Sequence, residues 1–172
     1  DLPVAGPDSF EAEEDSTGNV IEVLANDTDV EDVVLQITAV GTPSQGGVAT
    51  TDGSILTYAP AADFYGTETI SYTVSDGDGG SATGTVTIDV SNLNDDPFAD
   101  DDGGIVVVED SVANPIYVLG NDTFEPDPQE TLTILSVTQG SHGSVAIAPG
   151  GTFVRYTPTP NAYGLDTFTY TI

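Results

Sequence analysis

The chain has 172 residues, of which 29 are Asp or Glu and only one is Lys or Arg, for a formal net charge of −28 at pH 7. With Arg155 as its sole strong cation it has no basic footprint for nucleic acid, and an anionic membrane surface repels it. It contains no Cys, which excludes disulfides, thiol chemistry and thiolate zinc sites, and no apolar run approaches the length needed to span a bilayer.

High charge with modest hydrophobicity favours disorder. Against that stands a dense supply of Val, Ile, Thr and Tyr, residues that suit a pleated, half-buried surface. The opening Asp1-Leu2-Pro3 resembles the later Asn94-Asp95-Asp96-Pro97. With no charged-then-apolar leader, the chain reads as a segment of a longer array. Strands are expected near 8–13, 19–24, 34–40, 47–50, 54–58, 67–74 and 82–90. Ile70, Tyr72 and Val74 point one way while Thr69, Ser71 and Thr73 point the other, and Val86, Ile88 and Val90 repeat the period of two. Asp52-Gly53 and Asp76-Gly77 break the strands. Seven short strands per repeat is the count of an immunoglobulin-like sandwich.

The chain then repeats itself. Glu14-Asp15-Ser16 returns as Glu109-Asp110-Ser111, Val23 to Thr28 as Val118 to Thr123, Tyr58-Ala59-Pro60 as Tyr156-Thr157-Pro158, and Tyr65 to Val74 as Tyr163 to Ile172. Strands of the second copy are expected near 104–108, 114–119, 131–138, 143–147, 152–157 and 166–172. No equivalent of Ser81 to Val90 follows. The expected fold is therefore all-β: two tandem Greek-key β-sandwiches, repeat 1 at 1–94 and repeat 2 at 95–172, the second lacking its last strand and leaving a strand edge unpaired. The joining segment, 92–97, has one Pro and no Gly/Ser run.

The acids gather in loops at strand ends. Asp27, Asp29, Glu31 and Asp32 fall between the second and third strands, and Asp122, Glu125, Asp127 and Glu130 fall in the matching loop of copy two. Asp76 and Asp78 sit in a Gly-rich hairpin. In a seven-strand sandwich these loops share one end, so Asp27, Asp29, Asp76 and Asp78 are expected to converge there, near Asp1. Glu14, Asp15, Glu68 and the linker residues Asn94, Asp95 and Asp96 belong to the other end.

Grouped carboxylates do not all stay ionised without a partner, and Lys is absent. A hard divalent cation fits, and calcium accepts 6–8 oxygen ligands in irregular geometry, whereas magnesium wants a stricter octahedron. Simple solvation of acidic loops stands as the alternative. Asp27 to Asp32 begins like an EF-hand loop, but Asp32 stands where that loop needs Gly and Thr38 where it needs Glu.

Three motifs, Val23-Leu24-Ala25-Asn26-Asp27-Thr28-Asp29, Phe64-Tyr65-Gly66-Thr67-Glu68 and Ser71-Tyr72-Thr73-Val74-Ser75-Asp76-Gly77-Asp78-Gly79, join the junction Asn94-Asp95-Asp96-Pro97. As a set they resemble the bacterial cadherin-like, immunoglobulin-like tandem repeats of large secreted calcium-dependent adhesins, over essentially the whole chain. The resemblance implies an extracellular, calcium-binding (Ca2+) spacer of a surface or secreted adhesin, serving cell adhesion or biofilm formation, with neighbouring repeats of the same chain as partners. It also implies an inter-domain ion held by a linker of the Asp-x-Asn-Asp-Asn type. Here that linker is Asn92-Leu93-Asn94-Asp95-Asp96, with Glu14 and Glu68 offered by the first domain and Asp122 and Asp127 by the second. Asn92 replaces the linker's first Asp and Phe124 stands at the position matching Asp29, which predicts fewer ions than in a cadherin.

No Ser/His/Asp set repeats, since copy one has no His, so no enzyme is expected. The alternative is a carbohydrate- or partner-binding sandwich, including an accessory domain of a secreted enzyme. Most of the 13 aromatics (7 Tyr, 6 Phe) fall on core-parity positions, which favours the spacer.

Overall fold

Alternating Val, Ile and Thr runs separated by Gly and Asp turns give strands and almost no helix in the computed structural model, which describes residues 1–31, 34–127 and 130–172. Asp32, counted among the loop acids above, lies outside the described residues. The chain divides into two units, Asp1–Leu93 and Asn94–Ile172.

Unit 1 contains β1 (Asp8–Glu13), β2 (Asn19–Ile21), β3 (Gln36–Val40), β4 (Val48–Thr51), β5 (Leu56–Ala59), β6 (Gly66–Ser75) and β7 (Ser81–Ser91). They form two sheets, β1-β7-β6-β3 and β2-β5-β4. β1 runs parallel to β7, and the other pairs are antiparallel. The period of two puts Ile70, Tyr72, Val74, Val86, Ile88 and Val90 on the inner face, where they meet Ile21, Leu56 and Tyr58 of the facing sheet. β2 ends before the expected residue 24 because Val23–Asn26 winds into a 3-10 turn, η1, closed by the Ala25 N–H to Glu22 O bond at 3.0 Å. That turn drops Val23 into the core and brings Asp27 to the sandwich end.

Three glycines make room for tyrosine rings. Gly84 of β7 faces Tyr72 of β6 in register, and a Cβ there would stand 2.3 Å from the ring's Cζ. Gly47 yields to the ring of Tyr58 and Gly143 to the ring of Tyr156 in the same way.

Unit 2 holds β8 (Asn114–Ile116), η2 (Val118–Gly120), β9 (Ser136–Val137), β10 (Gly143–Ile147), β11 (Val154–Pro158) and β12 (Tyr170–Thr171), in the sheets β10-β11-β8 and β12-β9. Ile116, Val118, Val145, Val154 and Tyr156 form its core. The layers match those of unit 1, so the expectation of two tandem all-β sandwiches holds. Three strand expectations are corrected. Residues 104–108 form no strand, 131–138 shrinks to β9, and 166–172 shrinks to β12. The cause lies in the pairing of unit 1, where β1 bonds laterally only to β7, and β6 has β7 along its whole length. Among the described residues of unit 2 no strand takes the part of β7, so the counterpart of β1 has nothing to pair with.

Replacing Gly84 by Val forces Tyr72 out of its rotamer. We expect Gly84→Val to destabilise unit 1 by about 1–3 kcal/mol, the usual cost of overpacking, read as a lower urea midpoint for the unfolding of unit 1.

Candidate metal centre

Each unit buries carboxylates without burying a Lys, so each must use neutral donors. In unit 1, β6 parity turns Glu68 inward with Ile70 and Tyr72, and it is fully buried. Its Oε1 accepts the Gln45 N–H at 2.6 Å and its Oε2 accepts the Tyr58 hydroxyl. Burial, then the bond to Glu68, raises the Tyr58 hydroxyl well above its ordinary value. Glu68 is therefore an internal hydrogen-bonded acid between the sheets. Unit 2 repeats the pair as Tyr156 and Asp166. The Tyr156 hydroxyl donates to Asp166 Oδ2 at 2.7 Å, and the N–H groups of Ser141 and His142 donate at 2.7 and 3.0 Å. Burial and Asp166 push Tyr156 up to about 12. For Asp166, burial pushes upward, but the Tyr156, His142 and Ser141 donors outweigh it and hold the carboxyl well below the usual range.

A second tyrosine clasps the loop end. The Tyr72 hydroxyl lies 2.9 Å from Asp8 Oδ2 and 3.1 Å from Asp27 Oδ1, and Asp27 Oδ1 also accepts the Gly6 N–H at 2.8 Å. Burial, with the charge of Asp27, raises the Asp8 carboxyl. In unit 2 the Tyr170 hydroxyl is 2.9 Å from Asp122 Oδ1, which accepts the Asp100 N–H at 2.9 Å. Burial, with the charge of Asp122, raises Asp102. Asp27 and Asp122 thus fasten the entering segment to the sandwich.

The remaining expected residues sort by end. Asp76 is buried in the β6–β7 hairpin, taking the N–H groups of Asp78 and Gly80 on Oδ1 at 2.8 and 2.9 Å, while the Asp78 side chain is exposed. Asp29 takes the Glu31 N–H on Oδ1 at 2.8 Å, and its Oδ2 is shielded with no hydrogen-bond partner. Asp27 is tied to Tyr72 and Asp78 reaches the cluster only through its main chain.

At the other end of unit 1, Glu14 is 1% exposed, its Oε1 accepts the Leu93 N–H at 2.5 Å, and its Oε2 is enclosed without a partner. Asp15 and Asp63 bring carboxylate oxygens within 4.8 Å of each other, both from left-handed backbone that short polar residues tolerate. In unit 2, Asp127 is buried, accepts the Asp95 N–H at 2.5 Å, and stands within 4.8 Å of the Asp95 carboxylate. Asn94 and Asp96 are exposed.

Asp29 follows the Val4 to Thr28 bridge and Asp127 follows the Phe98 to Thr123 bridge, and Asp127 accepts the N–H of Asp95. Phe124 only displaces the acid along the loop. The donors at these ends are all oxygens and include enclosed, unpartnered ones, which fits a hard cation. Sequence reasoning omitted Asp8, Asp63, Asp102, Asp166 and the four tyrosines, although Tyr58/Tyr156, Tyr72/Tyr170 and Glu68/Asp166 recur at matching repeat positions.

The lowered Asp166 value sets a pH dependence. A folded-state value below the unfolded one gives stability that is complete above the unfolded value, near about 4, and lost as pH falls through the folded value. Asp166→Asn should lower the unit 2 urea midpoint at pH 7, and the gap from wild type should narrow steadily below pH 4.

A family model described as a bacterial Ig domain, Big_9, matches residues 1–89 and again 94–172. No curated protein matches the chain. Among solved structures, a four-domain fragment of Drosophila N-cadherin aligns with a TM-score of 0.52 at 17% identity, covering 99% of this chain and 45% of that one. Human desmocollin-1 ectodomain aligns at 0.48 and 17%, covering 92% and 34%. An endo-fucoidan hydrolase of glycoside hydrolase family 107 aligns at 0.44 and 18%, covering 98% and 28%. The chain thus spans less than half of each of these three, and at such identities the N-cadherin likeness speaks to fold alone.

Proposed function

The chain belongs to the bacterial Ig domain family, and on that premise we propose that its two units are non-catalytic, calcium-binding spacer repeats of an extracellular bacterial adhesin. Calcium bound by the end-loop and linker carboxylates restrains residues 92–97 and stiffens the array for cell adhesion or biofilm formation. The observation that carries this reading is Glu14, buried to 1% exposure with Oε2 unpartnered in a chain of net charge −28. A bare buried carboxylate oxygen costs free energy unless a cation or donor meets it. The residues offered to the ion are Glu14, Asp15 and Asp63 in unit 1, Asp95 and Asp127 in unit 2, and Asp29, Glu31 and Asp76 at the far end of unit 1. Asn94, Asp96 and Asp78 supply exposed oxygens beside them. The ion contributes charge neutralisation, and the residues contribute position.

The test is a thermal melt and small-angle scattering of the metal-free chain with and without Ca2+. At a hundredfold excess over Kd a single site stabilises by about 2.7 kcal/mol, which is about 10 °C or more for domains of this size. Ca2+ should also narrow the spread of overall dimensions, and Glu14→Gln should remove part of the thermal gain. An unchanged melting temperature and unchanged scattering after chelation would contradict the reading.

A second reading, a carbohydrate- or partner-binding sandwich, is favoured by one surface. Exposed Tyr117 packs on Phe153 with ring centroids 5.3 Å apart, and Arg155 lies 5.3 Å over the Phe153 ring. An aromatic pair with a cation is a platform for sugar rings or acidic groups. Calcium-saturated chain should then show glycan-array signals that Tyr117→Ala abolishes; signals equal in both proteins would dismiss this platform.

A further inference from the structure

The sheet β10-β11-β8 of unit 2 matches β4-β5-β2 of unit 1 strand for strand, with Arg155 opposite Pro115 as Thr57 is opposite Val20. Val154 and Tyr156 of β11 lie in the core, so Phe153 and Arg155 belong to the outer face. Tyr117, the residue after β8, packs beside Phe153 there. The repeat that pairs Ile116 with Ile21 and Tyr156 with Tyr58 puts Glu22, Ile55 and Thr57 at the same three positions of unit 1. Two sheets of one design thus carry different outer faces. One has an acid and two ordinary strand residues, and the other has two aromatic rings and the chain's only Lys or Arg.

The charge of that face also stands apart. Residues 111–121 and 131–165 contain no Asp or Glu, so β8, β10 and β11 make an acid-free sheet in a chain of net charge −28. Among the described residues no carboxylate pairs with Arg155. Its guanidinium is held instead 5.3 Å from the centroid of the Phe153 ring, and the half-buried Phe153 also packs against Tyr117. Pro115 and Ala146, in register with Arg155 on the two flanking strands, are short. Tyr117 is left 69% exposed and Arg155 is exposed.

We propose that Tyr117 and Arg155 form a site for a pyranose bearing one carboxylate, a sugar of the uronic-acid type set among neutral ones. This site deepens the second reading above and rests on it, since Tyr117 must bind sugar before Arg155 can select an acidic one. The Tyr117 ring offers its face to the C–H groups of the sugar, and its hydroxyl can donate or accept. The Arg155 guanidinium donates two parallel N–H bonds to the carboxylate. Phe153 is a positioning residue: its stacking against the guanidinium orients that fork before a ligand arrives and limits the ordering cost. One carboxylate is the charge that one Arg can match. A densely anionic polymer would meet the field of the other acids, which salt screens only over about 8 Å at physiological ionic strength. An acidic peptide would satisfy Arg155 but brings no sugar ring to Tyr117.

The probe is an aldobiouronate, one uronic acid linked to one neutral sugar, titrated into the calcium-saturated whole chain and followed by NMR. Its carboxyl methyl ester is the uncharged control. The acid should give saturable shifts at Tyr117, Phe153 and Arg155 and none at Glu22, Ile55 and Thr57. The ester should bind at least about tenfold more weakly, for loss of a charge-assisted bidentate pair. Arg155→Gln should erase that difference between acid and ester, and Tyr117→Ala should weaken both. Glu22→Tyr, Ile55→Phe and Thr57→Arg together should create a second set of shifts in unit 1. Equal binding of acid and ester, both lost in Tyr117→Ala, overturns the acidic-sugar site and leaves the sugar-binding reading standing. No shifts with either form at millimolar probe overturns both. The site is also overturned if a glutamate-containing peptide of the same charge binds as tightly as the acid, or if the preference for acid over ester survives Arg155→Gln.

Discussion

Charge balance governs this molecule. With 29 acids against one Lys or Arg, a carboxylate taken out of water finds no side-chain ammonium to meet it. The interior solves this with neutral donors. Tyr58 serves Glu68, Tyr156 serves Asp166, Tyr72 serves Asp8 and Asp27, and Tyr170 serves Asp122. Each bond gives a buried or half-buried carboxyl group a hydrogen-bond donor, and each tyrosine ring meanwhile adds apolar area to a sandwich. Small residues make room for the rings, Gly84 for Tyr72, Gly47 for Tyr58 and Gly143 for Tyr156.

What neutral donors leave unfinished defines the ends. Glu14 Oε2 and Asp29 Oδ2 are enclosed and unpartnered. Glu68 inside the sandwich, and Asp27 and Asp122 at its loop end, are thus satisfied by donors that the fold itself supplies, whereas Glu14 and Asp29 each keep an enclosed oxygen without one.

Strands set by local alternation were readable from sequence. Residues 8–13 and 143–147 form strands over the expected spans, and 67–74 lies within β6. Residues 104–108 show the opposite, because a β-prone run such as Ile105 to Val108 becomes a strand only beside a partner, and the partner of its unit 1 counterpart β1 is β7, remote in sequence. Among the acids, loop membership was legible but orientation was not. Glu68 was offered to an ion through the family resemblance, yet it shares parity with Ile70 and Tyr72, and that parity turns it into the core. Asp127 was named through the family resemblance, and in the structure it accepts the Asp95 N–H just past the Phe98 to Thr123 bridge.

The most direct measurement is isothermal titration calorimetry of Ca2+ into the metal-free chain, compared with Mg2+ and with a Glu14→Gln, Asp127→Asn double variant. The account predicts saturable heat with Ca2+, weaker binding of Mg2+, and fewer sites in the variant. Featureless dilution heats for Ca2+, or an isotherm indifferent to both substitutions, would contradict it.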